Sequence, residues 1–187
     1  KGVEEAKSAG VKLGHIKFDH VFTSTLKRAY HTAEIALDNS CSNEHLRKGQ
    51  GFAMVKHDDL RERDYGDLAG LNKDETREKY GEEQVHIWRR SYDIQPPGGE
   101  SLKDVVARVK PYFEIHIKPL IEAKKNVLIA AHGNTLRAMM IILGEYNPDT
   151  INQCEIPTGV PVVFEYEEGK KGMYYFLEDN VSLADKG

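Results

Sequence analysis

Val3, Ala6, Gly10 and Leu13 recur at helical spacing, which predicts a short amphipathic helix at the start of the chain. Phe18 to Thr23 is dense in aromatic and β-branched residues and predicts a strand. Ser24 is then expected to cap a second helix whose inner face is Leu26, Ala29/Tyr30, Ala33 and Leu37. Residues 38–50 are polar and contain Asn and Gly, so they are expected to form a loop before a brief strand over Phe52–Lys56. Charges dominate from His57 to Gly81, and loop is expected until Asn72, where Asn72-x-x-Glu75 has the form of a capping box. Glu82–Arg90 is helical around Val85 and Trp88, and Pro96-Pro97-Gly98-Gly99 breaks the chain.

Ser101-x-x-Asp104 predicts the cap of a long helix through Val105, Val109, Tyr112 and Phe113, kinked at Pro111. Asn126–Ala131 is a nearly continuous apolar run, expected to be a strand buried on both faces. His132-Gly133-Asn134 leads into a helix over Thr135–Leu143, and Asn147-Pro148 is expected to start another short helix. A hairpin closes the chain, with strands Val160–Tyr166 and Met173–Leu177 around the turn 167–170. Strands alternate with helices throughout, which predicts an α/β fold with a largely parallel sheet and an antiparallel edge.

The chain's 187 residues, with 40% hydrophobic and 30% charged side chains, exclude intrinsic disorder and fibrous repeats and suit one domain over 1–187. No apolar run is long enough for a membrane span. A net charge of −4 offers no global basic field for nucleic acid, so any functional cations must be local. Cys41 and Cys154 lack metal-ligand spacing; both are expected to be small buried hydrophobes in a reducing cytosol.

Four segments carry candidate chemistry, each with a blander structural alternative. His132-Gly133-Asn134 lies between a strand and a helix, where helix N–H groups point at ligands beyond the sheet. A histidine buried in the core and bonded to a loop carbonyl is the alternative. Thr23 to Ala29 makes a second strand-to-helix junction, and Arg28 there adds a guanidinium fork or sits on a solvated face. In Leu60–Leu68, a carboxylate among arginines suits acid/base work, although an exposed charged loop has the same composition. Arg89-Arg90 needs an anion or acidic partners, and Lys73 poses the same question.

These segments, with Gly99-Glu100-Ser101-Leu102 and Pro157-Thr158-Gly159-Val160-Pro161, occur in the order found in cofactor-dependent phosphoglycerate mutases, and the chain resembles that family from Gly2 to about Leu177. The family belongs to the histidine phosphatase superfamily. The resemblance implies a three-layer, mostly parallel doubly wound sheet. It also implies transfer between 3-phosphoglycerate and 2-phosphoglycerate through a phosphohistidine, primed by 2,3-bisphosphoglycerate and without a metal. By motif position, Glu62 would move the substrate hydroxyl proton, and His132 would stabilise the transferring phosphoryl group. Arg28, Gly133 and Asn134 would hold that same group. Arg63, Tyr65, Lys73, Arg89 and Arg90 would bind the rest of the substrate. The implied partner is a small phosphorylated metabolite in the cytoplasm, with homo-oligomerisation left open.

The family's nucleophile lies in an Arg-His-Gly-Glu stretch on a first strand, and no Arg-His-Gly occurs here. The sequence is therefore expected to be a piece of a longer enzyme, lacking that strand and inactive by itself. Asp64, where relatives commonly carry an aromatic or imidazole side chain, adds a negative charge close to Glu62. A histidine-type phosphatase acting on small phosphoesters and an inactive anion-binding fragment are the competing readings.

Overall fold

The computed structural model describes residues 2–154, 156, 162–165 and 173–176. The first helix, α1, spans Gly2–Lys12 and leads to strand β1, His20–Thr23. Helix α2, Lys27–Asp38, is followed by short strands β2 (Arg47–Lys48), β3 (Gly51–Phe52) and β4 (Val55–Lys56). Helices α3 (Lys73–Tyr80), α4 (Glu82–Arg90) and α5 (Leu102–Tyr112) come next. A π-helical segment, Phe113–Ile117, joins α5 to α6, Lys118–Glu122. Strand β5, Val127–Ala130, runs into α7, Gly133–Ile142, and β6 (Val162–Glu165) pairs with β7 (Met173–Phe176).

β1 lies between β4 and β5, parallel to both, while β6 and β7 form an antiparallel ladder of their own. The expected combination of a parallel sheet and an antiparallel pair is therefore present. Alternation along the strands sorts side chains into two layers. Val21, Leu128 and Ala130 pack with Leu13, Ala33 and Leu37 beneath α1 and α2. Phe22, Val127 and Ile129 face Val105, Val109, Ala138 and Met139 of α5 and α7. The register pairs Thr23 with Lys56 on one side and with Ala130 on the other. The loops leaving all three strands therefore emerge at one end of the sheet, the ligand-binding end of an open α/β fold.

Local chemistry explains the boundaries. Asn72 Oδ1 accepts the Glu75 N–H at 2.7 Å and starts α3. Ser101 and Asp104 form a reciprocal capping box at α5. Gly10 is where α1 meets α2: a Cβ there would overlap the Ala36 carbonyl oxygen and lie 2.9 Å from the carbonyl carbon. Replacing Gly10 with Ala should separate the helices and lower stability by about 1–3 kcal/mol. Thermal unfolding of the variant checks this, and an unchanged midpoint would contradict the packing.

Several expectations need correction. Ser24 does not cap α2, because the helix begins at Lys27 with Leu26 at the cap position and no side-chain cap. Loop 38–50 contains the start of a hairpin, in which Arg47–Lys48 pairs with Gly51–Phe52 across Gly49, at φ 61°. The 52–56 strand is split, because Phe52 and the Ala53 N–H stay with the β2 hairpin whereas Val55 and Lys56 pair with β1. β5 is half-buried at all four positions rather than buried on both faces; among the described strands it pairs only with β1. The Pro111 region continues into the π-helical segment. Asn147-Pro148 does open a helical turn, with Asn147 Oδ1 accepting the Asp149 and Thr150 N–H groups and its carbonyl accepting the Ile151 N–H at 2.9 Å, but the regular element that follows is only a short 3-10 helix, Ile151–Gln153. Cys154 is buried as expected, but Cys41 is exposed. The hairpin turn 167–170 and the segment 157–161 lie outside the described residues.

Candidate active site

His132 is the cap residue of α7, directly beyond β5, and is 7% exposed. Its Nε2 lies 2.8 Å from the Ser24 hydroxyl at the end of β1. Ser24 is fully buried, and its oxygen also accepts the Leu26 N–H at 3.3 Å. Neighbouring parallel strands thus bring together two residues 108 positions apart. The local preference of serine for a helix cap concealed that role.

Burial holds the His132 imidazole below its ordinary basicity; the Glu62 carboxylate pulls it back up, and the Arg28 and Arg108 guanidiniums push it down. Arg28 and Glu62 are thus each within electrostatic reach of His132. Arg28 is in the first turn of α2 and exposed, and Glu62 is half-buried in the loop that follows β4. The Arg63 N–H donates to Glu62 Oε1 at 2.8 Å.

Gly133 and Asn134 occupy the first turn of α7, whose leading N–H groups lack intrahelical acceptors. A Cβ at Gly133 would meet nothing within 4 Å beyond its chain neighbours and the backbone of its own helix, so space remains in front of this helix end. The Asn134 side chain donates to the Tyr65 hydroxyl at 3.0 Å and accepts from Arg137 at 3.3 Å, fixing its orientation. Thr135, in the same turn, donates to the Arg61 carbonyl at 2.7 Å, tying α7 to the Glu62 loop.

Tyr65 extends the site towards α4. The Arg89 guanidinium lies 5.4 Å from the Tyr65 ring centroid, within cation–π range. Arg89 also lines a cavity of about 190 Å³ together with Lys73, Arg77, Glu82, His86 and Arg90. Arg89 Nε is buried and has no acceptor among the described residues. The structure thus brings Lys73, Arg89 and Arg90 together and connects them through Tyr65 and Asn134 to the His132 end. Arg77 and His86 were missed, although helical spacing signals them: Arg77 is four residues after Lys73, and His86 is three before Arg89.

Arg63 is placed differently from the expectation. It is 3% exposed, and burial lowers its basicity; Nε donates to the Glu100 carbonyl and Nη2 to the Trp88 carbonyl, both at 2.6 Å. These bonds fasten the Glu62 loop to the end of α4, so Arg63 supports Arg89 and Arg90, and two of its three nitrogens are committed away from a ligand. Among the described residues no group of three or more His, Cys, Asp or Glu side chains is placed to hold a metal ion, and no helix is long and apolar enough to cross a membrane.

The sequence profile of the histidine phosphatase superfamily (branch 1) matches residues 1–177. A 2,3-bisphosphoglycerate-dependent phosphoglycerate mutase of Rhizobium rhizogenes is 52% identical over 167 residues, covering 88% of this chain and 75% of the relative. The protein of the same name from Parvibaculum lavamentivorans is 48% identical over 171 residues, covering 90% and 78%. Among solved structures, YhfR of Bacillus stearothermophilus superposes with a TM-score of 0.72 at 22% identity, covering 97% of this chain and 83% of that one. A mycobacterial glucosyl-3-phosphoglycerate phosphatase in complex with VO3 gives 0.70 at 22% identity, covering 94% and 82%. These structures share the fold.

Proposed function

Because the chain belongs to the histidine phosphatase superfamily, branch 1, we propose that the intact protein interconverts 3-phosphoglycerate and 2-phosphoglycerate, the activity its relatives' names carry. The cavity lined by Lys73, Arg77, Arg89 and Arg90 is the observation that supports this most. A phosphoester hydrolase must grip one phosphoryl group. A mutase must also hold the acid's carboxylate or a second phosphate while the first moves. The unpaired Arg89 Nε and its neighbouring cations suit a bisphosphorylated acid, so the residues fit the 2,3-bisphosphoglycerate primer. When bound, that primer supplies the phosphoryl group for the cycle.

In this reading Arg28, His132 and the N–H groups of Gly133 and Asn134 hold the transferring phosphoryl group. Phosphoryl transfer depends mainly on such positioning and charge stabilisation. Glu62 exchanges a proton with the substrate hydroxyl oxygen. Tyr65, Lys73, Arg89 and Arg90 hold the remaining anionic groups, while Arg63 positions the loop. No histidine of the sequence is assigned as the phosphoryl carrier. A cytoplasmic, glycolytic setting follows from the same proposal. The test supplies 3-phosphoglycerate and 2,3-bisphosphoglycerate to the intact protein and follows the appearance of 2-phosphoglycerate. Phosphate release without isomerisation would replace this reading with a histidine-type phosphatase.

A further inference from the structure

Glu62 lies in a stretch of irregular backbone between the short 3-10 turns Asp58–Leu60 and Gly66–Leu68. Such a segment has no ladder of its own, so other side chains must decide where its carboxylate sits. Arg108, on α5, uses all three guanidinium nitrogens for this. Nη1 donates to the Asp59 carbonyl at 2.7 Å, and Nη2 to the Glu62 carbonyl at 3.1 Å. Nε and Nη2 also fork onto Glu100, at 2.9 and 3.1 Å. Glu100 Oε1 in turn accepts the Asp64 N–H at 3.0 Å. The two side chains are 12% and 18% exposed. The strap therefore holds backbone on both sides of Glu62.

A second contact reinforces it. Gly66 and Gly99 are so close to the opposing chain that a Cβ at Gly66 would overlap the Pro97 carbonyl, and one at Gly99 would lie 2.6 Å from the Asp64 carbonyl oxygen. Burial pushes the Glu100 carboxyl up, but the Arg108 hydrogen bonds, the Asp64 N–H and the charges of Arg108 and Arg61 outweigh it, leaving Glu100 more acidic than usual. Glu100 is thus a carboxylate at neutral pH.

We infer that Arg108 and Glu100 are positioning residues for Glu62, a role that rests on Glu62 being the acid/base group. Arg108→Lys keeps the charge but loses the planar fork. Misplacing a reacting group by about 1 Å lowers turnover by up to about 10²-fold. The expected result is a kcat loss of that order with KM nearly unchanged, measured in the intact protein.

A double-mutant cycle separates positioning from general damage. In a Glu62→Gln background, Arg108→Lys should have no further effect on kcat. Full additivity would overturn the inference. Hydrogen exchange at the Arg63 and Asp64 amides should quicken at least about tenfold in Arg108→Lys while α5 stays protected, a difference in local opening alone. Unchanged exchange at those amides would overturn the inference whatever the turnover. If Arg108→Lys does not fold, Glu100→Gln serves the same cycle, because it weakens the strap but leaves Arg108 bonded to Asp59 and Glu62. Normal turnover in Glu62→Gln alone would instead refute the acid/base role, a result distinguishable from failure of the strap.

Discussion

Replacing Glu62 with Gln should lower turnover by about 10²–10⁴-fold, the range for losing a positioned general acid/base. Gln keeps the size of the side chain and an oxygen that can still accept the Arg63 N–H, now 2.8 Å from Glu62 Oε1. The loop is also tied by Arg63, Arg108 and Thr135 to α4, α5 and α7, so the fold should survive. What disappears is the ability to exchange a proton. Steady-state kinetics with a parallel thermal melt give the measurement; a loss of a few-fold or less would remove Glu62 from that role.

Replacing His132 with Ala should lower turnover by about 10²–10³-fold, comparable to removing one preorganised donor from a charge-stabilising site. The imidazole is buried against Ser24 and within electrostatic reach of Glu62 and Arg28, so it acts where the phosphoryl charge would gather. Its depressed basicity also has a consequence for stability. Below its ordinary value near 6.5, the unfolded chain takes up a proton on this residue that the folded protein still excludes. The stability associated with the neutral ring is therefore complete above about pH 6.5 and declines as the pH falls towards the depressed folded value. Melting temperatures of the protein and of His132→Gln, compared between pH 7.5 and 5, should converge towards the acid end. Parallel curves would contradict the assignment.

Much of this arrangement was legible in the sequence because it is local. The strand-to-helix junctions at Thr23 and Ala131 announce themselves by composition, and Asn72 and Ser101 carry their caps within three residues. Parallel pairing then brings the two junctions together. The missed features depend on contacts across long stretches of chain. Ser24 has the local chemistry of a cap, and only the 108-residue contact with His132 gives it another role. Arg108 reads as an ordinary helical arginine; its partners at Asp59 and Glu62 lie 49 and 46 positions away. Arg63, surrounded by charges in the sequence, turned inward because two backbone carbonyls needed donors. Asn147, by contrast, was legible locally: its Oδ1 accepts the N–H groups of Asp149 and Thr150 as a helix cap does, ahead of the 3-10 helix Ile151–Gln153.

The decisive question is whether the cations of α3 and α4 and the imidazole beyond β5 grip the same molecule. Titration of the isotope-labelled protein with 3-phosphoglycerate, followed by NMR at the His132 ring, the Asn134 backbone amide and the Arg89 side chain, addresses it directly. All three signals should shift along a single binding curve, and Arg89→Met should weaken that curve by about 10–100-fold, as for the loss of one charge-assisted hydrogen bond. Separate midpoints for His132 and Arg89, or a His132 signal indifferent to the ligand, would mean that these residues do not form one site.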